Sequence, residues 1–168
     1  ALGLDVGLFH IEIIYDRDGP VLVEANPRVM GGNMPKVFRL ATDLDFHEFL
    51  VDIALTGRLP ESCRNIPVKR AAATRMVGPR ESGIVSAGLP DDWAQPFMDH
   101  VAFWGVPIKD GDRLDKMVNS YCPGAFQIIG DTPAETSLLA EWIISLIALK
   151  TGIGMRHSAE DFLSIGRT

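Results

Sequence analysis

Glu12, Glu24 and Asn26 carry side-chain oxygens at a spacing that could hold a metal ion, and Arg28 and the pair Gly31-Gly32 follow them closely. Two carboxylates directly opposed across antiparallel strands have Cβ atoms ~4.5–5.5 Å apart, where like charges destabilise the pair. A divalent cation offsets that repulsion. Mg²⁺ is a hard ion that accepts one or two carboxylates and leaves its other positions to waters and substrate phosphates. Asn26, two residues beyond Glu24 on the same face, adds an amide oxygen. The plainer reading of these residues is a solvated polar face on a two-stranded edge.

The elements that must position them are two strands. From Leu8 to Tyr15, Phe9, Ile11, Ile13 and Tyr15 fall on one face and Leu8, His10, Glu12 and Ile14 on the other. Asp16-Arg17-Asp18-Gly19-Pro20 is turn chemistry, after which Val21, Val23 and Ala25 alternate with Leu22, Glu24 and Asn26. A five-residue loop centred on Asp18 sets Glu12 opposite Glu24 and His10 opposite Asn26. Beyond Gly31-Gly32-Asn33 a short helix is expected from about Pro35 to Ala41. A second, started by Asp45 and Glu48 and stopped by Gly57, presents Phe46, Phe49, Leu50, Ile53 and Ala54 at helical spacing.

The proline-containing stretch Leu59 to Pro67 is the best domain boundary. The expected division is 1–62, 63–152 and a tail, 153–168, with a short helix from Ser158 to Leu163 or no regular structure. Short strands are expected at Lys69 to Val77, Ile84 to Ala87, Val101 to Trp104 and Ala125 to Ile129, separated by turns at residues 78–83, 109–112 and 123–124. Thr132, Pro133 and Glu135 begin a long helix whose apolar stripe runs from Leu138 to Ile147 and ends at Gly152. The fold class is α+β.

Composition narrows the function. The 168 residues are 46% hydrophobic with a net charge of −6, enough to bury a core and without the basic field that nucleic acid requires. Leu138 to Leu149 is too short for a membrane span and is interrupted by Glu141 and Ser145. Cys63 and Cys122 lack metal-like spacing and read as reduced thiols, so a cytoplasmic protein is expected. No signal-peptide pattern precedes the first strand. The chain lacks an initiator Met and enters that strand almost at once, which reads as a piece whose N-terminal part lies elsewhere.

Glu24-Ala25-Asn26-Pro27-Arg28 with Gly31-Gly32 resembles the ATP-grasp superfamily, whose metal-binding strand ends in Glu-x-Asn-x-Arg and whose preceding strand carries another acidic ligand at about the separation of Glu12 from Glu24. The stretch from Val6 to Glu12, the turn, the Asn-Pro-Arg element, the Gly-Gly loop and the following Leu-Ala-Thr helix match in order. Val68 to Lys150 is similar to the C-terminal domain of the ATP-grasp group containing L-amino acid ligases and biotin carboxylases. The match there lies in the Gly83-Ile84-Val85 strand, the Lys109-Asp110-Gly111-Asp112 turn and the Gly124-to-Gly130 strand.

The resemblance implies the metal-binding half of an ATP-grasp lobe, a hairpin plus helices, followed by a small antiparallel β domain with a long C-terminal helix. It implies a ligase that joins a carboxylate, an amino acid first among them, to an amine through an acyl phosphate. ATP and Mg²⁺ are the implied cofactors, with Mn²⁺ a substitute. Glu12, Glu24 and Asn26 would be metal ligands, with His10 beside them at the nucleotide, and Arg28, Gly31 and Gly32 would be catalytic. Partners would be ATP, small carboxylate and amine substrates and a missing N-terminal lobe, with a homodimer left open. The isolated chain is expected to bind Mg²⁺ weakly and to turn nothing over.

Each residue also has a structural reading. Arg28 could pair with Glu12 or Glu24, the glycines could merely turn the chain, and His10 could be a hydrogen-bonded structural histidine. Lys36 and Arg39 could be solvated helix charges. Arg75 and the Arg80-Glu81-Ser82 turn could line a pocket or decorate a strand and loop. Asp43 stands where the family pattern has Gly. The alternatives to a ligase are a biotin-carboxylase-like subunit and a non-catalytic interaction domain. Lys116-Met117 has the wrong order for a biotin attachment motif.

Overall fold

A computed structural model of the chain describes residues 5–118 and 122–157. The chain divides after Lys69 into two compact units. The first contains β1 (His10–Asp16), β2 (Gly19–Asn26), α1 (Met34–Thr42) and α2 (Phe46–Thr56).

β1 and β2 pair antiparallel, with His10 opposite Asn26, Ile11 opposite Ala25 and Glu12 opposite Glu24. The register then shifts: Ile13 faces Leu22 and Asp16 faces Gly19, which leaves Val23 as the extra residue of a β-bulge. The loop is therefore two residues, Arg17-Asp18, rather than five, because Gly19 takes φ 113° and reverses the chain sooner. The bulge also changes the faces expected from alternation. Leu22 joins Ile13, and Val21 joins Ile14.

Asn33 precedes α1, which carries Pro35 in its first turn and ends at Asp43 in the left-handed region, φ 62°. Asp43 thus does what Gly does in the pattern it departs from, and its carboxylate pairs with Lys69 at 2.7 Å. α2 is capped by Asp45, whose carboxylate accepts from His47 N at 2.8 Å, and stops at Gly57 with φ 65°. Phe38 stacks on Phe46 at 3.8 Å between centroids, and Phe49 meets both edge-on, which fastens the two helices together. A single 3₁₀ turn, Glu61–Cys63, lies within the stretch read as a boundary.

The second unit holds β3 (Ala71–Val77), β4 (Gly83–Ile84), β5 (Val101–Gly105), β6 (Arg113–Leu114), β7 (Gly124–Gly130) and α3 (Pro133–Thr151). β7 lies between β3 and β5, antiparallel to both, and β4 pairs with β6. β4 is shorter than expected because the backbone after it leaves the ladder: Ser86 N donates to Thr151 O and Leu89 N to Ile108 O. β6, two residues directly after a turn, carries too little alternation to be read from sequence.

α3 begins where expected, Thr132 Oγ1 accepting from Glu135 N at 3.1 Å, and it ends at Gly152. Its Ile143, Ile144 and Ile147 bury against Val77, Phe126 and Ile128 of the sheet. Each such side chain stabilises the fold by roughly 1.5–3 kcal/mol. The Lys109-to-Asp112 turn is closed by Asp112 accepting from Lys109 N at 2.7 Å, and Gly88 lies so close to it that a Cβ there would stand 2.6 Å from Asp110 N. Both cysteines are free thiols, and burial with the nearby Asp52 pushes the Cys63 thiol upward, which keeps it protonated and a poor nucleophile. Among the described residues no helix is long and apolar enough to cross a membrane. The helix expected at Ser158 to Leu163 lies outside the described residues.

Candidate functional site

The hairpin aligns the candidate ligands by register. Glu12 and Glu24 are direct cross-strand partners and so share a face, as do His10 and Asn26 two pairs further along. Both carboxylates are exposed, and His10 Nε2 stands 3.8 Å from Glu12 Oε1. His10 Nδ1 and the Asn26 amide nitrogen are buried and have no hydrogen-bond partner. Such orphaned atoms are rare in native structures and call for a water, an ion or a ligand group. A rotation of the Asn26 amide exchanges its nitrogen for the oxygen that a cation needs.

Two carboxylates and an amide oxygen on one face are ligand types that Mg²⁺ accepts. The set is a lean one. No group of three or more His, Cys, Asp and Glu is gathered as a metal cluster among the described residues.

Past β2 the chain turns sharply, Arg28 N donating to Asn26 O at 2.8 Å. Arg28 is exposed, and its guanidinium donates to Val29 O at 3.1 Å. Among the described residues no ion pair joins it to Glu12 or Glu24, so the salt-bridge reading of Arg28 finds no support, and the guanidinium is not drawn onto the acids. It lies instead over the glycine turn, 3.8 Å from where a Gly31 Cβ would be. Gly32 has φ 62°, a left-handed conformation that favours glycine. Gly31 does not adopt one: its φ is ordinary and a Cβ there would meet nothing closer than ordinary van der Waals contact.

Most of the remaining candidates are tied into the scaffold. Arg39 reaches Asp45 at 3.4 Å, and Lys36 is exposed on α1. Arg75 pairs with Glu141 at 3.0 Å and donates to Arg156 O, and Arg80 Nε donates to Met155 O at 2.9 Å. Those bonds turn both arginines to structural duty. Asp45 is held below the usual carboxylate range, first by the His47 backbone N–H and then by the His47 side chain. Sequence reasoning did not foresee that His10 and Asn26 would carry buried, unpartnered atoms, since alternation fixes a face and says nothing of burial.

No family model matches the sequence. An uncharacterized protein of Sinorhizobium fredii is 30% identical over 122 residues, which make up 70% of this chain and 25% of that protein. Among solved structures, an L-amino acid ligase from Bacillus licheniformis aligns over 94% of this chain and 38% of its own, with a TM-score of 0.63 and 18% identity. A phosphoribosylglycinamide synthetase from Anaerococcus prevotii aligns over 89% of this chain and 37% of its own, with a TM-score of 0.54 and 15% identity. The chain thus spans well under half the length of the proteins it matches. At these identities the likeness is one of fold: the chain shares the fold of the matching part of each of these two enzymes. The mixed α+β class read from the sequence, antiparallel sheets with a C-terminal helix, is the one observed.

Proposed function

We propose that this chain is the metal-holding and C-terminal part of an ATP-dependent ligase that joins a carboxylate, an amino acid by preference, to an amine. The observation that carries the reading is the pairing of Glu12 with Glu24, two pairs from the orphaned polar atoms of His10 and Asn26. The ATP-grasp-like fold supports it, the solved neighbours being an L-amino acid ligase and a phosphoribosylglycinamide synthetase.

In this reading the substrate carboxylate attacks the γ-phosphorus of ATP, ADP leaves, and an amine then attacks the acyl carbon and expels phosphate. Glu12, Glu24 and the Asn26 amide hold the nucleotide's Mg²⁺, for which Mn²⁺ substitutes. Mg²⁺, when bound, neutralises charge developing on the transferring phosphoryl group. His10 donates from its buried nitrogen to a phosphate oxygen. Arg28 spends one of its five N–H donors on Val29 O and has others to grip the carboxylate and then the oxyanion of the tetrahedral intermediate. Gly31, glycine without a backbone reason, leaves space for that substrate, and the N–H groups of the turn complete the oxyanion's donors. The first unit holds the metal, and the second is the C-terminal domain.

The test is phosphate release from ATP by the longer polypeptide that carries this sequence, with Mg²⁺ and a panel of amino acids or bicarbonate. Amino-acid-dependent release bears the proposal out. Release dependent on bicarbonate and biotin makes the protein a carboxylase instead, and silence across the panel leaves a non-catalytic domain.

A further inference from the structure

α3 is apolar on its outer side as well as its inner one. Ala140, Ile143, Ile144 and Ile147 face the core, while Leu138, Trp142 and Leu149 are 74%, 54% and 81% exposed. A helix that is hydrophobic all round is ordinarily covered all round. Something is therefore expected to lie on the outer stripe.

The stripe itself indicates what. Leu138, Trp142, Ser145 and Leu149 follow in steps of four, three and four, which keeps them on one line along the helix and reads the same from either end. An antiparallel copy, related by a two-fold axis between Ile143 and Ile144, sets Leu138 against Leu149 and Trp142 against Ser145. Large meets small, twice. A parallel copy instead crowds Trp142 on Trp142 and leaves a gap at the serines.

Three further features suit this occupant. Ser145 Oγ already donates to Glu141 O at 2.9 Å, so burying it orphans no donor. Both acids of α3 are engaged within their own unit, Glu141 by Arg75 and His157 at 3.0 Å each and Glu135 by Asp131 N at 2.9 Å, so no unpaired carboxylate enters the seam. Beside Leu149 lies a largely apolar groove of about 530 Å³, lined by Trp93, Pro96, Phe97 and Leu146 with Lys150 at its side. Leu138 of the second copy falls at that groove, and Trp142, set edge-on to Phe97 at 5.5 Å, is already oriented beside it.

We propose that this face is an isologous interface at which two copies of the chain pair through antiparallel α3 helices. Sedimentation velocity over a concentration series tests it. The expected result is a dimer whose fraction rises with concentration and which both Leu149→Glu and Ser145→Trp abolish, with helix content unchanged by circular dichroism. Combining Trp142→Ser with Ser145→Trp exchanges large and small on both sides of the axis and is expected to restore association. A wild-type chain that is monomeric at every concentration overturns the proposal and leaves a segment of a longer polypeptide as the cover. A dimer indifferent to Leu149→Glu, or a folded exchange variant that stays monomeric, overturns it as well.

Discussion

Glu12 lies directly across the hairpin from Glu24, and the register breaks at the very next residue, where Ile13 faces Leu22. The bulge at Val23 therefore separates the two ends of the hairpin: the acidic pair keeps its alignment with His10 and Asn26, and the tip is free to turn tightly. Bulges commonly aim side chains near functional sites in this way. Two like charges held in register are unfavourable for the bare protein, and in the proposed reading a cation offsets that repulsion.

That condition can be measured. With chelator present, Glu24→Gln is expected to slow amide exchange along His10–Asp16 slightly, by ~0.5 kcal/mol or less, because it removes a cross-strand repulsion. With saturating Mg²⁺ the order reverses and the wild type is the better protected. Slower exchange in the variant under both conditions would assign the acids to a solvated face.

The two glycines of the turn are expected to separate. Gly32→Ala places a side chain at φ 62° and should cost ~1 kcal/mol in thermal unfolding. Gly31→Ala should leave stability within ~0.5 kcal/mol, surface changes away from special backbone being mild. In the proposed reading its effect falls instead on ATP-dependent phosphate release. Equal losses of stability at both positions would return Gly31 to a purely conformational role.

At the end of α1, Asp43→Val is expected to destabilise by ~2 kcal/mol, since a β-branched residue fits the left-handed region poorly. Asp43→Gly loses the ion pair to Lys69 but relieves the backbone, so it should be clearly the milder of the two. Denaturant titration gives the comparison.

Asp45 gives the pH dependence a sign. Its pKa is lowered in the folded state, so its contribution is present above the ordinary carboxylate range and is lost as pH falls through the lowered value. α2 should therefore fray on acidification, as followed by amide exchange at His47 and Glu48. In Asp45→Asn, which keeps an oxygen acceptor for His47 N without a titrating charge, that dependence should flatten.

Much of this architecture was legible. Alternation on both sides of Asp16 to Pro20 limited the pairing to registers that keep the apolar faces together, and the expected five-residue loop selected Glu12 with Glu24; the loop is shorter, and the bulge at Val23 restores that pairing. Capping residues placed α2 and α3. The two-residue loop was not legible, because Gly19 supports either a longer loop or a tight return, and the bulge at Val23 depends on which occurs. The diversion of Ser86 to the end of α3 is a long-range bond with no local signature. The register of the candidate residues was legible, but the buried, unpartnered atoms of His10 and Asn26 depend on packing that spacing does not encode.

If Glu12, Glu24 and Asn26 share one divalent cation, Mn²⁺ as a paramagnetic stand-in for Mg²⁺ reports it residue by residue. Titrated into the labelled chain, Mn²⁺ is expected to broaden the amide signals of Glu12, Glu24, Asn26 and their strand neighbours first, and to lose that selectivity in Glu12→Gln with Glu24→Gln. Broadening centred on other carboxylates, or selectivity unchanged in the double variant, would contradict the account.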